Sequence, residues 1–106
     1  MEECYIGYAM KVIGGKWKLL IMWAMSQNGV IRFNNLQKEV DGISSLMLSK
    51  NLKELKEDCL VLRHQYNEIP PRVEYELSEL GQKLTVVLNY LGEWGNEVYK
   101  YKKTSI

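Results

Sequence analysis

Hydrophobic and polar positions alternate most cleanly where Val73, Tyr75 and Leu77 share one face and Arg72, Glu74 and Glu76 the other. That period of two is expected of a half-buried strand. Upstream, Leu60, Leu62, His64 and Tyr66 alternate with Val61, Arg63 and Gln65, less regularly. Between the two runs, Asn67-Glu68-Ile69-Pro70-Pro71 reads as a hairpin tip, because proline cannot donate to a strand ladder. The rest is helical in pattern. From Lys16 to Gln27, Trp17, Leu20, Ile21 and Ala24 recur at helical spacing, and Leu19, Met22, Trp23 and Met25 fill the other sides. A helix apolar nearly all round is buried inside the fold or against a partner subunit. Asn28-Gly29 ends it, with Gly29 free to take a left-handed cap. Ile31-Arg32-Phe33 then reads as a short strand, Asn34 to Val40 as a brief helix, and Asp41-Gly42 as a turn.

A further helix spans about 44–58, with Ser44 as its cap. Leu48, Leu52 and Leu55 line its inner face, while Leu46, Lys50 and Lys53, flanked by Met47 and Ser49, lie opposite. After the hairpin at about 60–77, Ser78 caps a last helix expected at 79–103. In it Leu80, Leu84, Val87, Leu91, Trp94, Val98 and Tyr101 step by four and three, the seam of helices that pack at a shallow angle. Gly92 and Gly95 weaken that helix and would permit another backbone to come close.

Two helices joined by a tight turn and followed at once by a hairpin make a winged helix-turn-helix. The expected fold is α+β, mainly helical, a single domain over residues 1–106. The second helix of such a pair fits the DNA major groove, with its N-terminal residues at the base edges. Here those residues are Ser44, Ser45, Leu46, Ser49, Lys50 and Lys53. Each also has a plainer role: Ser44 as a cap, Ser45 and Ser49 as solvated positions, the lysines as phosphate contacts rather than readers. Leu46 is the most informative. A large apolar side chain facing water suits a thymine methyl group or a neighbouring subunit. In the wing, Arg63, His64 and Arg72 could meet phosphate, although Glu68, Glu74 and Glu76 share the hairpin.

Composition narrows the rest. The chain has 106 residues, 46% apolar and 25% charged, with a net charge of +1. Residues 1–53 carry +3 and residues 54–106 carry −2, too mild a split to name a partner. The longest apolar run, Leu19 to Met25, is far short of the ~20 residues of a membrane span. Met1-Glu2-Glu3-Cys4 lacks the basic start and apolar core of a secretory signal, so a reducing cytoplasm is the expected setting. One histidine and two distant cysteines make no motif for a metal, and no cofactor is expected. Gly14-Gly15-Lys16 lacks the spacing of a phosphate loop, and no nucleophile is paired with a base by motif. An enzyme is therefore not expected. Trp17, Trp23, Tyr90 and Trp94 read first as core and interface, and a small-molecule effector stays open and unnamed.

Five segments in order carry a resemblance: Gly14-Gly15-Lys16-Trp17; Arg32-Phe33-Asn34-Asn35-Leu36; Gly42-Ile43-Ser44; Leu52-Lys53-Glu54-Leu55; and Ile69-Pro70-Pro71-Arg72-Val73-Glu74-Tyr75-Glu76-Leu77, with Leu80-Gly81 following. Together they resemble the HxlR family of bacterial winged-helix transcriptional regulators over roughly Cys4 to Gly95. The resemblance implies a cytoplasmic homodimer joined through its first and last helices, about 5–13 and 79–103. Paired recognition helices and wings would address double-stranded DNA at a two-fold related operator. Trp17, Leu84, Val87, Leu91, Trp94, Val98 and Tyr101 are the interface residues this picture names.

The resemblance also bears on both cysteines. Many members carry a cysteine just before the first helix, in some of them a sensor of oxidants or electrophiles. Cys4 matches that position, but Tyr5 stands where proline often follows. The alternative for Cys4 is a small residue beneath the dimer interface. Cys59 stands where the family commonly has glycine, after Glu57-Asp58. If the backbone there is left-handed, a side chain costs about 1 kcal/mol relative to glycine. A rival to DNA binding is a winged-helix module that binds protein, which the near-neutral charge and exposed Leu46 and Met47 would suit.

Overall fold

The computed structural model describes residues 4–104. Cys4 is extended and caps the first helix, α1 (Tyr5–Ile13), which buries none of its residues within the chain. Helix α2 (Lys18–Ser26) buries Ile21, Met22, Ala24 and Met25, while Leu20 and Trp23 stay exposed. The apolar girdle is thus covered on one side only by this chain. Gly29, at φ 69°, ends α2 as its composition predicts.

Strand β1 (Ile31–Arg32) is shorter than expected, because Phe33 begins helix α3 (Phe33–Glu39) instead of extending the strand. Only Ile31 and Arg32 pair, opposite Tyr75 and Glu74. The chain then turns so that the Phe33 ring packs beside Tyr75, 6.4 Å between centroids. Val40 and Ile43 are buried on either side of Gly42, whose φ of 82° makes the turn. Helix α4 (Ser45–Glu57) starts as the sequence suggests: the Ser44 hydroxyl accepts the Met47 amide at 3.1 Å. Leu48, Leu52 and Leu55 are fully enclosed against α2 and the sheet, each contributing about 1.5–3 kcal/mol of apolar burial.

The end of α4 is a Schellman cap. The Leu60 amide bonds to the Leu55 carbonyl at 2.9 Å and the Cys59 amide to the Lys56 carbonyl at 3.0 Å. Cys59, at φ 64°, is the left-handed residue that this cap requires. The position where glycine is common thus keeps a glycine-like backbone.

Strands β2 (Val61–Tyr66) and β3 (Arg72–Leu77) pair from Val61 opposite Leu77 to Tyr66 opposite Arg72, and the antiparallel sheet runs β1-β3-β2. The C-terminal helix is not continuous. It divides into α5 (Glu79–Gln82) and α6 (Leu84–Thr104). At Lys83 one amide is shared between the Glu79 and Gly81 carbonyls. Gly81 is pressed so close to Leu60 that a Cβ would collide with its carbonyl oxygen, which draws α5 onto the wing's base. The seam expected from Leu80 onward is therefore interrupted after its first position. Within α6 only Leu88 is buried, and Leu84 packs against the core.

Candidate nucleic-acid interface

The outer face of α4 is open. Leu46 is 81% exposed, and Ser45, Ser49, Lys50 and Lys53 surround it in solvent. Ser44 is committed to its cap. The Ser45 hydroxyl donates to Gln37 Oε1 at 3.1 Å, and Gln37 Nε2 donates to the Ile43 carbonyl at 3.3 Å. The first turn of α4 is thereby fixed to α3. Further along, Ser49, Lys53, Lys56 and Arg63 meet around a crevice of about 290 Å³ between α4 and β2. Lys50, Lys53 and Lys56 form no ion pair among the described residues.

The wing is different. His64 Nε2 lies 2.9 Å from Glu76 Oε2, a carboxylate companion supplied across the hairpin that the local sequence does not offer. Arg72 pairs with Glu68 at 3.3 Å and Glu74 at 3.7 Å, and its guanidinium lies 4.1 Å from the centre of the Tyr66 ring. Arg63 donates to the Tyr75 hydroxyl at 3.3 Å and to Gln65 at 3.0 Å. The structure thus gives all three basic wing residues partners within the hairpin, where the sequence offers them to phosphate.

One group escaped sequence reasoning altogether. Lys18 is buried, its ammonium donating to the Val12 carbonyl at 3.3 Å and pairing with Glu54 at 3.1 Å. It joins the end of α1 to α2 and α4. In sequence it sits beside Lys16 and Trp17 with nothing to mark it as internal.

The interface residues named above separate into two groups. Val87, Leu91, Trp94 and Tyr101 are 46–74% exposed along α6, and Val98 is half-buried. Tyr5, Ile6, Tyr8 and Met10 add exposed apolar surface on α1. Trp17, by contrast, packs against the core with its ring edge at the Gly42 turn, and Leu84 also turns inward. Cys4 is exposed at the start of α1, its sulfur accepting the Gly7 amide at 3.4 Å. No helix among the described residues is long and apolar enough to cross a membrane.

Residues 12–103 match the model of the HxlR-like helix-turn-helix family. The chain belongs to that family. Membership makes it a winged helix-turn-helix protein among transcriptional regulators. It is similar to a regulatory protein designated MalR from Fusobacterium mortiferum, 41% identical over 95 residues that cover 90% of each chain. It is also similar to YtcD, an HTH-type transcriptional regulator of Bacillus subtilis (strain 168), 42% identical over 85% of this chain and 74% of that one. Among solved structures, the redox regulator HypR in its reduced form superposes with a TM-score of 0.86 at 34% identity, covering 95% of this chain and 99% of that one.

Proposed function

We propose that this protein is a sequence-specific DNA-binding transcriptional regulator acting as a homodimer in a reducing cytoplasm. The observation that carries the reading is the outer face of α4. The helix is anchored by three enclosed leucines, yet its opposite side holds Leu46, Ser45, Ser49 and Lys50 in solvent. Hydroxyls, an apolar side chain suited to a thymine methyl, and cations are what base edges and phosphates require. The homodimer reading rests on the exposed apolar faces of α1 and α6, which one chain leaves uncovered. Two-fold pairing through them would present two α4 helices to operator half-sites about one helical turn, ~34 Å, apart.

Cys4 is the candidate sensor. It is exposed, it caps α1, and α1 is one of the proposed interface helices, so oxidation there would act on the dimer. HypR, named as a redox regulator, supports this reading by likeness.

The test is fluorescence anisotropy with DNA from upstream of the protein's own gene and with a scrambled duplex, each with and without a thiol oxidant. Salt-sensitive binding to the first alone is the expected result, and its loss on oxidation in the wild type but not in Cys4→Ser assigns the sensor. Feeble binding to both, followed by an empty selection from random duplexes, would leave the protein-binding module in its place.

A further inference from the structure

Lys18 is a buried cation that the reading of α4 leaves unused. It stands at the first position of α2, where burial and the positive end of the helix both oppose a charge of its sign. Two contacts answer that cost. The ammonium donates to the Val12 carbonyl at 3.3 Å, in the last turn of α1, and pairs with the Glu54 carboxylate at 3.1 Å, in the second half of α4. The helix at the first of these contacts has little hold of its own on the chain. None of its residues is buried; residues 5–11 are exposed, and its end, at Val12 and Ile13, packs against the core. The helix at the second contact is the one whose outer face is read as the DNA-binding surface.

We infer that Lys18 is a positioning residue that makes the setting of α4 depend on how α1 is seated. The inference rests on the reading of α4 as a groove-binding helix. The leucine stripe holds α4 by apolar contact, which has no preferred direction. Its first turn is oriented by the bond from Ser45 to Gln37, and its second half by the pair of Glu54 with Lys18. Glu54 lies one turn beyond Lys50 on the same side of the helix. A roll of α4 that carries the carboxylate therefore carries the outer face with it. When the end of α1 moves, the ammonium either follows the Val12 carbonyl away from Glu54 or gives that carbonyl up and rests on Glu54. Either course changes what holds α4. A second copy covering α1, or a change at Cys4, reaches the outer face of α4 by this route without touching it.

The experiment measures duplex affinity of the full chain across a range of salt, on an operator found by selection and on a scrambled duplex. Lys18→Met combined with Glu54→Gln removes the link, leaves no buried charge unpaired and keeps the net charge. This pair variant is expected to bind the operator about two- to thirtyfold more weakly. Its affinity for the scrambled duplex and both salt slopes should stay as in the wild type, because no phosphate contact is lost. Thermal melts distinguish positioning from stability. The pair variant should melt above Glu54→Gln yet bind the operator no better, whereas a link that served only stability would recover affinity along with the melt. Gly14→Ala reaches the same link from the α1 side, since a Cβ there collides with the Met10 carbonyl oxygen and displaces the last turn of α1. It should weaken operator binding in the wild type and cost the pair variant nothing further. Should Gly14→Ala fail to fold, the pair variant decides. Wild-type operator affinity in the pair variant, or a Gly14→Ala loss that adds to it in full, overturns the inference while the α4 reading stands. If the wild type selects no duplex at all, both fall together.

Discussion

Helix α4 and the wing carry three basic side chains each: Lys50, Lys53 and Lys56 on the helix, Arg63, His64 and Arg72 on the hairpin. The helix keeps its cations in solvent, while the hairpin holds its own with internal partners. The difference follows from geometry. In the hairpin the register places His64 of β2 opposite Glu74 and diagonal to Glu76, which it meets, while Arg63, opposite Tyr75, bonds to that hydroxyl and Arg72 pairs with Glu68 and Glu74. On α4 the three lysines follow one another at i, i+3 along one side. Glu54, which could have answered Lys50 on the same helix, instead pairs with the buried Lys18. That internal pair takes an acid away from the outer face and leaves α4 more positive toward solvent than its composition suggests.

The comparison can be broken most severely at the inner face of α4. Leu52→Ala should cost about 2–5 kcal/mol in a urea or thermal melt, through lost burial and a residual cavity, and duplex affinity should fall with it. Next comes Glu54→Gln, which leaves the Lys18 ammonium buried without a countercharge. About 1–3 kcal/mol of destabilisation is expected, partly restored when Lys18→Met is added. A double variant no better than the single one would show that the pair does not act as a unit. Cys59→Gly should raise stability by about 1 kcal/mol, since glycine takes the left-handed backbone without strain. No gain there would mean that the cap is not strained. The smallest effect separates the two regions most sharply. Lys50→Gln should flatten the salt slope by about one unit, whereas Arg72→Gln, whose charge is already answered, should leave it nearly unchanged. Equal changes in both would erase the distinction between helix and wing.

Periodicity alone makes most of this architecture legible in the sequence. The Leu48, Leu52 and Leu55 stripe, the Ser44 cap and the alternation of Val73, Tyr75 and Leu77 are local signals, and the chain obeys them. Where expectation and structure part, tertiary contacts decide. Phe33 leaves the strand because Tyr75 gives its ring a surface. The C-terminal helix breaks at Lys83 because Gly81 is drawn onto Leu60. No pattern within a single element can announce either contact. The candidate site was legible in the same uneven way. Residues on the exposed face of α4 could be named by helical phase, but the hairpin ion pairs and the Lys18–Glu54 pair depend on how separate elements meet.

The Ser78 side chain has a consequence for the order in which parts of the molecule open. Its hydroxyl donates to the Cys59 carbonyl at 2.7 Å and accepts the Gly81 amide at 3.0 Å, while its own amide bonds to the Leu60 carbonyl at 3.0 Å. One residue therefore secures both the exit of α4 and the entry of α5. Releasing either end leaves the other with an unmet hydrogen bond, so the two behave as one cooperative unit, with amides around Leu60 and Gly81 exchanging with solvent at a common rate.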